Sequence, residues 1–354
     1  MAPSAVADGP IEFGVGFGGT LPPDAYGELA RRLEDLGFHV ATVFGDLMMQ
    51  PPAFPLASMA ATTSRLRLGV GCYTPWTVHP VEMAGQLAYL DHLSHGRIFM
   101  GIVRGAWMRQ LQIETRHALE AVADCVAIVR ALHAGDRNGH EGRVFRLAPD
   151  TVPEYPVLRR HIPLMVGTWS PRLARYAGAH ADELQVGGCA NADMVSVVRD
   201  FLRVGAEEAG RADVLPRIVL TAVTVIDTDR AAARARARTE VALPFHVIAG
   251  MDRTHTVDQE VLDRMAPLLR NGEYEAAGRL IPDESLTKFS FCGTPEEITE
   301  QAVGIYRAGA SRIEWDSPFG MTPGEGIELL GRRVLPALRE EFGDRVRPSA
   351  AAVA

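Results

Sequence analysis

The sequence predicts a (β/α)₈ TIM barrel, with a helical insertion before the eighth strand. Three observations predict it. Short β-rich runs alternate with amphipathic helical runs eight times along the 354 residues. No Pro-, Gly- or Ser-rich linker breaks that alternation, so one closed parallel sheet accounts for the whole series. The segments that follow the strands are rich in Gly, aromatic and small residues, and that end of such a barrel is where chemistry sits. Length alone allows two domains, but α/β barrels reach this size as one. The runner-up, an open doubly wound sheet, requires a GxGxxG turn after the first strand. Gly14, Gly16, Gly18 and Gly19 supply glycines, but they fall within that strand, and Pro22–Pro23 block direct entry into a helix.

The elements follow in order. Ile11–Phe17 reads as the first strand. The next helix ends at Leu36, with apolar positions at Ala25, Leu29, Leu33 and Leu36 and Gly37 as its stop. His39–Phe44 is the second strand, Phe54–Thr63 a helix, Leu66–Tyr73 the third strand and Val81–Leu93 a helix. Arg97–Val103 is the fourth strand and Thr115–Leu132 a long helix. Gly139–Leu147 reads as a small hairpin, and Thr151–Ile162 as a Pro-containing loop. The alternation resumes with strand Pro163–Gly167, helix Pro171–Ala179, strand Glu183–Gly187, helix Ala192–Ala209, strand Arg217–Ile226 and helix Arg230–Leu243. A largely helical insertion occupies about 244–286. Thr294 caps the next helix, with Pro295 at its first position and Glu296–Glu297 in its first turn. Arg312–Asp316 is the eighth strand, and a helix from Gly324 to about Glu341 closes the series. The barrel domain is expected over 10–342, with flexible tails at 1–9 and 343–354.

Composition narrows the function classes. The chain is 47% hydrophobic and 23% charged, an ordinary globular balance, with a net charge of −8. No basic stripe is visible, which argues against nucleic acid or an anionic membrane as partner. No apolar run is long enough to span a bilayer, and the first nine residues lack the charged and apolar regions of a signal peptide. Cys72, Cys125, Cys189 and Cys292 are far apart with no CxxC pair, which predicts reduced thiols in a cytoplasmic protein. No HxxxH or carboxylate–His cluster predicts a metal site, and no GxSxG predicts a hydrolase.

The strand ends carry the chemistry. Gly71, Gly101, Gly105, Gly167, Gly187 and Gly188 let backbone approach a flat ligand closely, while Phe17, Met48, Trp76, Trp107 and Phe319 supply apolar walls for a substrate. Such a lining suits a large planar cofactor better than a phosphosugar. The segment Leu68-Gly-Val-Gly-Cys-Tyr-Thr-Pro-Trp76 with His79-Pro80 resembles the third-strand signature of luciferase-like flavin and deazaflavin enzymes. So do Leu90-Asp-His-Leu-Ser-His-Gly-Arg-Ile-Phe-Met-Gly101, Pro163-Leu-Met-Val-Gly167, Ala177-Gly178, Ala181-Asp182, Cys292-Gly-Thr-Pro-Glu-Glu297 and Ser317-Pro-Phe-Gly320. Their order and spacing are similar to the F420-dependent branch of the luciferase-like superfamily, the branch of methylenetetrahydromethanopterin reductase, over nearly the whole barrel.

The resemblance implies coenzyme F420 as cofactor, with FMN as the alternative, a small-molecule substrate and a homo-oligomeric enzyme. It implies a non-prolyl cis peptide at Gly71–Cys72, a bulge backing the cofactor ring, with Tyr73 beside it. Asp46 falls where relatives place a carboxylate next to the deazaflavin, and a carboxylate in an apolar pocket can handle a proton; an ion pair or helix cap is the other reading. Gly167-Thr168-Trp169 and Gly187-Gly188 fall where the family wraps the cofactor's side chain and phosphate. Trp169 could instead be packing at the rim, and His79 could reach the pocket or cap the third helix. Two positions depart from the family. Leu47 replaces the His that often follows the Asp, and Ala106 stands where relatives carry an acid after the fourth strand. Arg104 or Arg109 could bind an anionic group there or form a surface ion pair. These departures point away from the methanopterin substrate and towards reduction of a C=N or C=C bond in another small molecule, such as a secondary metabolite. The rival expectations are an FMN-dependent monooxygenase and a non-catalytic cofactor- or ligand-binding barrel.

Overall fold

A computed structural model of the chain describes residues 9–46 and 48–348. Residues 1–8, 349–354 and Leu47, and the expectations that fall on them, lie outside the described residues. Eight parallel strands close on themselves: β1 (Glu12–Gly18), β2 (Val40–Phe44), β3 (Arg67–Val70), β4 (Ile98–Val103), β5 (Leu164–Gly167), β6 (Glu183–Gly187), β7 (Arg217–Ile226) and β8 (Arg312–Gly320). Each pairs with its successor, and β8 pairs with β1 through Glu12↔Arg312 to Gly16↔Asp316, which completes the ring and removes the open-sheet alternative. A short strand, Phe291–Gly293, lies along the upper part of β7. The expected hairpin is present as His140–Glu141 paired with Arg146–Leu147.

Local signals set most helix ends. Gly37 adopts φ +86° after the helix Ala25–Leu36 and accommodates the left-handed stop. Thr294 and Glu297 form a reciprocal capping box on the helix Pro295–Arg307. Several boundaries differ from expectation. The long helix begins at Ala118, because His117 has φ +55° and leaves the helical region. The third strand ends at Val70, where the backbone turns into the bulge.

Pro244 does not end its helix, which runs from Arg230 to Ile248. Proline removes one backbone bond there. Ala242, Phe245 and Ala249 are buried against Met265, Leu286 and Phe289 of the following helices, and that burial outweighs the loss. The last helical stretch is three segments, Pro323–Leu329, a π-turn at Leu330–Val334 and Leu335–Phe342. Residues after Phe342 are also held, contrary to a free tail from 343. Val346 bridges to Ile11, and Arg347 pairs with Glu12.

Strand alternation divides the residues into two sets. Phe13, Val15, Ile313 and Trp315 face the helices and are fully buried among them. The opposite faces carry Glu12, Gly14 and Gly16 on β1 and Arg312, Glu314 and Asp316 on β8, and they fill the barrel with charge. Arg312 reaches Glu183 at 2.7 Å, Glu314 at 2.8 Å and Glu12 at 3.4 Å, and Arg67 spans Glu12 and Glu183 at 2.8 and 3.1 Å. Burial works against the charge on Glu183, but Arg312 and Arg67 outweigh it and hold the carboxyl at about 2. Above this floor Val40, Cys72, Phe99 and Met165 form an apolar plug.

Candidate functional site

The loops after the strands meet at the open end of this plug. The peptide Gly71–Cys72 is cis, as the family resemblance implies. Three glycines make room for Cys72. A Cβ on Gly45 would stand 2.2 Å from the Cys72 carbonyl oxygen, one on Gly101 2.8 Å from its Sγ, and one on Gly167 3.4 Å from it. The sequence reading named Gly101 and Gly167 as cofactor residues and placed Gly45 at the end of the second strand, directly before Asp46, without giving it that role. Burial pushes the Cys72 thiol well up, so it is neutral and packs as a small apolar group. Its Sγ lies 4.0 Å from Gln185 Oε1, and Gln185 donates to Glu314 at 2.9 Å.

Around this centre the rim is built from paired tryptophans and bare backbone. Trp107 Nε1 donates to Asp46 at 3.3 Å, Trp76 Nε1 to the Arg104 carbonyl at 2.7 Å, and Trp169 Nε1 to the Gly187 carbonyl at 2.8 Å. Gly105 has φ +98°, and a Cβ there would meet the Thr74 hydroxyl at 2.5 Å. Thr168 Oγ1 accepts from the Ser170 N–H at 2.8 Å at the start of the helix Pro171–His180. Gly187 faces open space, while Gly188, at φ +72°, abuts Ile248. The rim therefore brings together Asp46, Gly71, Cys72, Gly101, Arg104, Gly105, Gly167, Thr168, Trp169, Gly187, Gly188, Trp76 and Trp107.

Other expected site residues are placed elsewhere. Tyr73 contributes backbone bonds to Gly101 and Val103, but its ring is buried in the outer core, with its hydroxyl donating to Gln86 at 3.0 Å. Cys72 takes the inward position, so its neighbour must face out. Phe17 is likewise outward, stacked on Tyr26 at 6.4 Å. It lines, with Phe319, a separate cavity of about 550 Å³ beneath the helices Ala25–Leu36 and Pro323–Leu329. Asp46 is exposed, not enclosed in an apolar pocket, as are Met48, Arg104 and Arg109. His79 caps the helix Pro80–Leu93 through its Nδ1, which accepts from the Val81 N–H at 3.3 Å.

The inward face of β8 adds a group that sequence reasoning missed. Asp316 is buried, and a Cβ on Gly16 would come 2.3 Å from its Oδ1. Thr221 Oγ1 donates to that oxygen at 2.5 Å. Burial, reinforced by the Glu314 carboxylate and only partly offset by Thr221, pushes the Asp316 carboxyl well above the usual range. The signal was the polar alternation Arg312-Ile-Glu314-Trp-Asp316 in a strand expected to be apolar on both faces.

Comparison with known proteins adds to this geometry. The family model for luciferase-like monooxygenases matches residues 10–312. The chain is 26% identical over 350 residues to the 5,10-methylenetetrahydromethanopterin reductase of Methanopyrus kandleri, covering 92% of this chain and 99% of that one. It is 24% identical over 298 residues to the F420-dependent glucose-6-phosphate dehydrogenase of Nocardia farcinica, covering 80% and 82%. The solved F420-dependent tetrahydromethanopterin reductase from Methanopyrus kandleri superposes with a TM-score of 0.84 at 23% identity, over 92% of this chain and 99% of that one.

Proposed function

The chain belongs to the luciferase-like monooxygenase family, and from that membership and the shape of its rim we propose that it is an F420-dependent oxidoreductase. The reaction is hydride transfer between the reduced deazaflavin and a C=N or C=C bond of a small molecule. The observation that carries this reading is the bare rim. Gly45, Gly101, Gly105 and Gly167 let the strand ends pack directly around the bulge, each with protein atoms within 2.6 Å of where a Cβ would stand, and Gly187 opens onto free space. A flat ring can approach backbone closely only on such a surface. The F420-dependent relatives of similar length support the choice of cofactor.

When bound, the deazaflavin supplies a two-electron hydride donor, so the protein's share is orientation and electrostatics. The Gly71–Cys72 bulge would support the ring. Trp169, Thr168, Gly187 and Gly188 would hold the cofactor's side chain, where the N–H groups at the start of the helix Pro171–His180 suit an anion. Trp76 and Trp107 wall the substrate side and exclude water. Asp46 orients Trp107 through the bond to its indole N–H. The exposed Arg104 offers a cation to an anionic group of substrate or cofactor.

Mixing the purified protein separately with F420 and with FMN, and following quenching of their fluorescence, tests the reading. Saturable quenching of F420 at micromolar concentration is expected. Tight FMN binding with no F420 response would replace it with an FMN-dependent monooxygenase.

A further inference from the structure

Hydride delivery to a C=N or C=C bond leaves a negative charge on the neighbouring atom, and a proton must reach it. The loop after β4, Arg104-Gly105-Ala106-Trp107, offers no carboxyl. Asp46 is exposed and accepts a hydrogen bond from Trp107. We propose that Asp316 is the proton donor of this barrel, and the proposal rests on the reading of function above.

Its position carries the argument. Glu314 belongs to the layer that meets Thr42 at 2.8 Å and Gln185 at 2.9 Å, directly under Gly71 and Cys72. Asp316 is two residues further along the same strand face, about 6–7 Å nearer the open end. Glu314 is sealed at 0% exposure, whereas Asp316 retains 8%. Gly16, its partner across β1, carries no side chain to cover it. The groups facing it set its protonation. β1 presents Gly14, Gly16 and Gly18, β2 presents Thr42 and Phe44, β7 presents Thr221, and β8 itself presents Glu314 with Arg312 behind it. No cation contacts Asp316 among the described residues, and burial beside Glu314 raises its carboxyl well above the usual range, which favours the protonated form. Thr221 donates to Oδ1, which leaves the proton on Oδ2, the oxygen that makes no hydrogen bond among the described residues.

The step balances. The hydride adds to carbon, the π pair of the substrate takes the proton from Asp316, and its O–H bond breaks. The reduced deazaflavin, having given up its hydride, releases its ring N–H proton to solvent, so the products are the saturated bond, oxidised deazaflavin and an Asp316 carboxylate, which takes a proton back from solvent.

Infrared difference spectra of the wild type and Asp316→Asn at pH 7 test the protonation state without turnover. A carboxylic-acid C=O band present in the wild type, lost in Asp316→Asn and shifted on adding oxidised F420 is expected. Turnover with reduced F420 and 1-pyrroline or cyclohexenone then reads the role. Asp316→Asn should lose on the order of 10²-fold or more in kcat, with F420 affinity kept within about twofold, an expected match for an isosteric change. The wild-type rate should fall as pH rises through the Asp316 pKa. Thr221→Val should move that limb to higher pH, because the lost hydrogen bond favours the ionised form. An Asp316 already ionised at pH 7, or a band that ignores F420 while F420 binds, would overturn the proposal alone. Failure of the wild type to bind F420 would overturn the function and take this proposal with it.

Discussion

At the scale of single residues, the site depends on what is missing from its side chains. Gly45 and Gly187 make opposite tests of this. A methyl group at Gly45 meets the Cys72 carbonyl at 2.2 Å, and that oxygen belongs to backbone that cannot swing aside. Gly45→Ala is expected to lose about 1–3 kcal/mol of stability by overpacking and to abolish F420 quenching; urea unfolding and a fluorescence titration measure the two. Gly187→Ala adds its methyl to open space, so the urea midpoint should not move. F420 affinity should weaken by about tenfold, near 1.4 kcal/mol, because the methyl occupies the cofactor's surface. Equal affinity in Gly187→Ala and wild type would remove Gly187 from the site. Gly71, Gly101 and Gly167 were legible in the sequence because their motifs carry them. The directions of Phe17 and Tyr73 were not. In a strand one residue of register decides between the two faces, and no local pattern in Cys72-Tyr73 says which of the two turns inward.

At the scale of elements, β2 is preceded by a buried histidine that ties its start to β1. The Phe13 N–H donates to His39 Nδ1 at 2.9 Å, and the two rings stack at 5.1 Å. Burial holds the His39 imidazole down at about 4, against an ordinary value of 6.5. The unfolded chain therefore binds the proton first. This contribution is complete above pH 6.5 and is lost as pH falls towards 4, in total roughly 3 kcal/mol. Denaturant unfolding between pH 7 and 4 should show that decline, and His39→Asn, which offers an acceptor but no titration, should flatten it. An unchanged slope in the variant would show that other groups set the pH dependence. Most helices were legible from their caps, as Gly37 and Thr294–Glu297 show. Pro244 was not, because the burial of Ala242, Phe245 and Ala249 is contributed by helices that follow it in the chain.

At the scale of the whole molecule, the barrel is held shut by charge at one end and left open by glycine at the other. Arg312 is fully buried and joins Glu12, Glu183 and Glu314, residues brought together only when β8 closes onto β1 and β7. Arg312→Met is expected to cost about 3–5 kcal/mol at pH 7, because it leaves buried carboxylates short of a cation. Urea unfolding measures this, and a loss under 1 kcal/mol would show that Arg67 and Arg217, which also reaches Glu12 at 2.9 Å, suffice. Arg347 makes the same point from the C-terminal side. Sequence reasoning assigned it to a tail, yet it pairs with Glu12.

The alternating pattern by itself determined the number of strands and their order, since both follow from local periodicity and caps. Only the closed structure decided which side chains share the interior. Glu12, Arg312 and Asp316 are polar residues in strands, and nothing within a strand says whether such a face meets solvent or other strands. Closure of the ring settles that by removing water from one face, which forces the charges to pair and raises the carboxyl of Asp316 above its usual range.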